Sequence, residues 1–189
     1  MRIRITGEET LYSGWSKIIR ARLATADGTE FAREIEHHGH AVAVLPYDPE
    51  RRCALMVASP RAPVVWAGGP PELIEAPAGM LEDGEPAETC ARREADEEVG
   101  VRLAALEPVA EAWSTPGVSS EKIALFLAPY GEADRTGAGG GLAEENELIE
   151  VLELPLDDLW ARFEGGRLQD MKTLVLLLAL RQRRPELFG

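Results

Sequence analysis

Apolar and polar positions fall along the chain in blocks that predict its elements. Residues 15–24 mix apolar and basic positions, Asp27-Gly28 follows, and a second β-prone run continues to about Ile35. An Asp-Gly between two such runs is a hairpin signal. Ala41–Leu45 and Cys53–Val57 are continuous apolar runs suited to buried strands, with Pro46-Tyr47-Asp48-Pro49 reading as the turn after the first. Residues 62–71 hold three prolines and two glycines and predict a loop. Pro86–Val99 predicts a helix, since proline suits a first turn and Gly100 suits the position just past the end. Lys122–Pro129 and the alternating run Leu148–Leu154 predict strands, and Leu156–Glu164 and Leu168–Arg183 predict helices. The run Gly137–Gly141 (GAGGG) predicts a flexible loop. Strands, a helix, strands, then helices, without internal repeat, indicate an α/β fold: a mixed sheet with helices on its faces.

Composition narrows the function. The 189 residues suit one domain, or one domain with a small appended lobe, and can bury a core without disulfides. The 33 acidic against 20 basic side chains give net −13, a surface that repels nucleic-acid backbones. An acidic protein handling a phosphorylated small molecule needs a metal cation or a few placed arginines. Cys53 and Cys90 make no disulfide framework and suit a reducing cytosol. The first residues carry charge with no apolar stretch behind them. The longest apolar run, Leu174–Leu180, has seven residues against the roughly 20 of a membrane span. A cytoplasmic protein without membrane contact is expected.

The chemistry concentrates in Gly79–Val101, GMLEDGEPAETCARREADEEVGV. At about 100° per residue, Glu94, Glu97 and Glu98 share one helical stripe. Three like charges on a stripe repel each other, and a hard divalent cation relieves that cost with oxygen ligands and phosphate partners. The plain alternative is a solvated acidic face. The spacing of Gly79, Glu85, Arg93-Glu94, Glu97-Glu98 and Gly100, with apolar Ala95 and Val101, decides against it. It resembles the signature box of the Nudix hydrolases at every defining position.

That resemblance implies a Nudix α/β/α sandwich around a mixed sheet, in residues 39–189, with a small N-terminal β lobe in residues 1–38 that serves dimerisation. It implies Mg²⁺- or Mn²⁺-dependent hydrolysis of a nucleoside diphosphate linked to another group. Matched to the box, Glu94 and Glu98 are the main metal ligands. Glu97 is a further ligand or catalytic group, and the Ala78 carbonyl another ligand. Gly79 lets the backbone approach the metal, while Arg93 and Glu85 pair as structural residues.

Similarity continues outside the box. Arg33-Glu34-Ile35, Gly39–Asp48, Glu75–Gly79 and Thr115-Pro116-Gly117 resemble the ADP-ribose and nucleotide-sugar pyrophosphatases. Gly141–Glu147 resembles the base-carrying loop of ADP-ribose pyrophosphatases, and Ile149–Pro155 looks more like GDP-mannose pyrophosphatases. The implied substrate is a nucleoside diphosphate sugar, the products a nucleoside monophosphate and a sugar phosphate. The alternatives are a Nudix hydrolase of another nucleotide class and a non-catalytic ADP-ribose-sensing module. Glu145 matches the loop glutamate that acts as catalytic base, with Glu144 and Glu147 flanking it. Arg33 and Arg61 match substrate-binding arginines, though of an Arg-Gln-Phe/Tyr-Arg pattern the stretch Ala58-Ser59-Pro60-Arg61 keeps only the last. Trp15 matches an aromatic that stacks on the nucleobase, and the resemblance implies a homodimer. His37, His38 and His40 lack ligand spacing for a metal, and Cys90 lacks a base partner for a nucleophile.

Overall fold

The computed structural model describes residues 2–142 and 148–189. The chain forms two compact units, Met1–Ala41 with Glu111–Ile123, and Val42–Ala110 with Ala124–Gly189. The first therefore takes in a segment from far along the chain besides the N-terminal hairpins. No local pattern announces that segment.

In the first unit, β1 (Ile3–Ser13), β2 (Lys17–Thr25) and β3 (Glu30–His37) make an antiparallel sheet in that order. Asp27-Gly28 makes the β2–β3 turn: Thr25 Oγ1 donates to Asp27, whose Oδ1 also accepts the Thr29 N–H at 3.2 Å. Strand β1 has no readable periodicity because nearly all of its residues are exposed. The edge of β3 meets residues 118–120, with Glu36 N–H donating to Val118 O at 2.8 Å and Ser120 N–H to Glu36 O at 3.0 Å.

A seven-stranded sheet orders β10 (Glu150–Pro155), β5 (Cys53–Ser59), β4 (Ala41–Asp48), β9 (Lys122–Pro129) and β8 (Glu107–Trp113), with β6 (Leu73–Glu75) on β5 and β7 (Ala78–Met80) on β4. Every residue of β4 and β5 is buried, which explains their continuous apolar runs. Val42, Val44, Leu55, Val57, Phe126 and Ala128 pack with Cys90, Ala91, Ala95 and Val99 of helix α2 (Ala87–Val99). Strand alternation sends Ala43, Leu45, Met56 and Leu127 to the other face, also fully buried. Helices α3 (Leu156–Glu164) and α4 (Met171–Arg183) bury Leu156, Leu159, Leu176, Leu177 and Leu180. Burying each such leucine stabilises by about 1.5–3 kcal/mol.

Four expectations need correction. The turn expected at residues 46–49 comes later: Tyr47 and Asp48 still pair with Ala54 and Cys53. Asp48 organises the reversal, its Oδ1 accepting the N–H groups of Glu50 (2.9 Å) and Arg51 (3.0 Å). The loop expected at 62–71 contains helix α1 (Ala62–Trp66), where Pro63 fits the first turn. Helix α4 begins at Met171 rather than Leu168, because the Asp170 side chain caps it by accepting the Thr173 N–H.

The glycine run is the fourth. Gly140 and Gly141 N–H groups donate to the carbonyls of Glu98 (2.9 Å) and Glu97 (3.1 Å), orphans at the C-terminus of α2. A Cβ on Gly139, whose φ is +69°, would overlap the Glu98 carbonyl. These glycines allow close docking onto the helix end rather than free swinging.

Candidate active site

Strand β7 and helix α2 bring the box together. Glu94 and Glu98 lie on the helix face that also buries Cys90, Ala91, Ala95 and Val99, and they are only 7% and 2% exposed. Both carboxylates meet the backbone of β7. Ala78 N–H donates to Glu98 Oε2 at 2.9 Å, and a Cβ on Gly79 would overlap the Glu94 carboxyl. Only glycine leaves the Glu94 carboxyl that space. Glu97 is half-buried on the same side.

Arg93 ties this arrangement together. Its Nε and Nη2 fork onto the two Glu85 oxygens at 3.2 and 3.1 Å, and Nη2 also donates to Met80 O at 3.2 Å. Nη1 donates to Glu94 Oε1 at 2.7 Å and Glu97 Oε2 at 3.2 Å. Hydrogen bonding to this guanidinium holds the Glu85 carboxyl below the usual carboxylate range. Burial pushes the Cys90 thiol up to about 12, so it stays protonated and unreactive.

Among the described residues no three histidine, cysteine or carboxylate side chains converge as a finished cation site. The donor set nonetheless fits a hard divalent cation. It is all oxygen, two of its carboxylates are buried, and Gly79 lets the Glu94 carboxyl come close against the β7 backbone.

A second buried cluster adjoins the box, and the sequence reading missed it. Glu75, 2% exposed, accepts Arg61 Nε at 2.6 Å and Lys172 Nζ at 3.1 Å. Lys172 also reaches Asp170 Oδ1 at 2.7 Å. Asp170 Oδ2 accepts Thr173 N–H at 2.9 Å and Thr173 Oγ1 at 2.7 Å, and Thr173 Oγ1 accepts Ala76 N–H at 2.7 Å. Burial works against the Asp170 charge, but Lys172 and the Thr173 bonds outweigh it and hold the carboxyl below its ordinary value. Arg61, matched to a substrate arginine, thus sits on Glu75 and also feels the charge of Glu98. An aspartate cap three residues before Thr173 was the available signal for this cluster.

Arg33 and Trp15 belong to the other unit. Arg33 lies over the Phe31 ring at 4.9 Å and borders an open cavity of about 450 Å³ with Glu34, Ile35, Trp113 and residues 116–120. Trp15, 80% exposed, stacks on His38 with ring centroids 5.0 Å apart. His38 bonds Glu36 through Nδ1 (2.6 Å) and Glu121 through Nε2 (3.1 Å). Burial disfavours a charge on His38, but the two carboxylates outweigh it and raise the imidazole pKa. Glu144, Glu145 and Glu147 lie outside the described residues.

A NUDIX domain model matches residues 37–174. The chain belongs to the Nudix family. Curated relatives include the GDP-mannose pyrophosphatase of Cronobacter sakazakii, 42% identical over 153 residues, covering 80% of this Nudix chain and 78% of that one. The ADP-ribose pyrophosphatase of Escherichia coli (strain K12) is 35% identical over 182 residues, covering 93% and 86%. Among solved structures, one titled "Crystal structure of ADP compounds hydrolase" superposes with TM-score 0.78 at 18% identity, covering 98% of this chain and 96% of that one. The Nudix α/β fold expected from the box is therefore the fold observed. No helix among the described residues is long and apolar enough to cross a membrane.

Proposed function

We propose that this Nudix hydrolase cleaves the diphosphate bond of nucleoside diphosphate sugars of the ADP-ribose or GDP-mannose type, giving a nucleoside monophosphate and a sugar phosphate. The observation that carries the reading is the pair of buried carboxylates, Glu94 and Glu98, closed on Ala78-Gly79 inside a complete box. Relatives named for both activities support the substrate class.

Glu94, Glu98, Glu97 and the Ala78 carbonyl would hold Mg²⁺ or Mn²⁺. A divalent cation there supplies positive charge against the diphosphate oxygens and lowers the barrier to attack by water. Arg93, anchored on Glu85, fixes the box loop against α2. Glu145 takes the proton of the attacking water as its oxygen bonds to phosphorus and the bridging P–O bond breaks. Arg61 and Arg33 hold phosphate or ribose oxygens, since a guanidinium fork donates two parallel hydrogen bonds. Trp15 offers its exposed ring to the base. The N-terminal lobe pairs two copies into a homodimer, which would cover Ile3, Ile5, Leu11 and Tyr12, exposed on β1 by 58%, 54%, 39% and 59%. Cytoplasmic residence fits two buried free cysteines.

The test is product identification. Purified protein with Mg²⁺ is incubated with ADP-ribose, GDP-mannose, ATP and a dinucleoside polyphosphate, and products are resolved by ³¹P NMR. Monophosphate plus sugar phosphate from a nucleotide sugar is the expected result. Turnover confined to the triphosphate or the dinucleoside polyphosphate contradicts the proposal.

A further inference from the structure

We infer that Thr173 is a positioning residue for the box, acting through one hydrogen bond to the backbone that leads into it. The inference rests on the reading of Glu94, Glu98 and Ala78 as the metal site. Thr173, 1% exposed, stands in the first turn of α4, far from Ala76 in sequence. Its Oγ1 accepts the N–H of fully buried Ala76 at 2.7 Å and donates its own proton to Asp170 Oδ2 at 2.7 Å. The hydroxyl is thereby fixed in direction, with its lone pair turned to the amide.

Ala76 lies two residues before Ala78, and the run between them is held at successive points. Glu75 is gripped by Arg61 and Lys172. Pro77 O accepts Val44 N–H at 2.9 Å, and Ala78 N–H meets Glu98. Within this series the Ala76 bond alone comes from a neutral side chain on another element. A buried N–H deprived of its acceptor is costly, so the backbone shifts to find another. A shift at Ala76 carries Ala78 and Gly79 with it, away from the two carboxylates they face. Residues that orient a metal's ligands typically change its affinity 10–100-fold when replaced.

The experiment measures Mn²⁺ binding to the full-length protein without substrate, by electron paramagnetic resonance of the free ion. Melting curves without metal report the fold separately. Thr173→Val keeps the shape and loses the hydroxyl; it is expected to weaken Mn²⁺ binding by about tenfold. Thr173→Ser keeps the hydroxyl and is expected to restore binding to within about twofold. At saturating metal, substrate KM is expected to stay near the wild-type value in both. Wild-type Mn²⁺ affinity in a folded Thr173→Val overturns the inference, as does equal loss in Thr173→Ser. If Thr173→Val does not fold, Asp170→Asn serves instead: it leaves an acceptor for the cap but weakens the hold on the hydroxyl. Weakened Mn²⁺ binding is expected there, and unchanged binding overturns the inference. Glu98→Gln is the control. If it binds Mn²⁺ as the wild type does, the metal-site reading itself fails; if it alone loses binding, only the role of Thr173 fails.

Discussion

Glu94 and Glu98 are carboxylates that α2 would ordinarily keep in water. Burying them is costly unless each is bonded or neutralised. Ala78 N–H and Arg93 supply part of that compensation, and Gly79 leaves room for the Glu94 carboxyl against the backbone. The proposed base, Glu145, stands apart from this cluster in sequence. Glu145→Gln is expected to lower turnover by about 10²–10⁴-fold, the usual range for a general base. Metal affinity and KM should change little, since the box ligands remain. Glu147→Gln should do less. Kinetics of both variants with Mg²⁺ titrated in each decide the matter, and a crippled Glu147→Gln beside an active Glu145→Gln would shift the assignment by two residues.

At the scale of elements, His38 links the end of β3 to the segment carrying Glu121, and its raised pKa gives that link a pH dependence. The folded protein holds the His38 proton more tightly than the unfolded chain does. The stabilisation is complete below the unfolded pKa of about 6.5 and is lost as pH rises through the higher folded value. The melting temperature of wild type should therefore exceed that of His38→Gln most at about pH 6, and the gap should narrow toward about pH 9. A gap that widens with pH contradicts the assignment. Such pairs, between residues far apart in one chain, mark what could not be read in advance. Strands β4 and β5 were legible because burial of every residue makes them continuous apolar runs, and helix α2 because Pro86 and Gly100 mark its ends. The box was legible because its residues are fixed by local spacing. Strands β6 and β7 are three residues each, too short for a period. The Glu75–Lys172–Asp170–Thr173 cluster joins residues nearly 100 apart and leaves no local trace beyond the Asp170 cap. The GAGGG run misled because its glycines serve close packing on a helix end, which composition does not separate from flexibility.

The whole molecule carries net −13 yet is proposed to bind an anionic diphosphate. Its field opposes the substrate, so local positive charge must supply the attraction. In the proposed reading Arg33, Arg61 and a divalent cation would supply it. Assembly belongs to this scale too. Light scattering should give twice the 20.6 kDa of the chain, and a fully active monomer at working concentration contradicts the dimer. The central claim is that the buried box carboxylates hold the metal that drives hydrolysis of a nucleotide sugar. It is tested most directly by the turnover of Glu98→Gln on the nucleotide sugar that the wild type cleaves, at saturating Mg²⁺. Loss of a ligand to a charge worth several kcal/mol in the transition state predicts a fall of about 10²-fold or more in a protein that still folds. Near wild-type turnover in that variant would contradict the account.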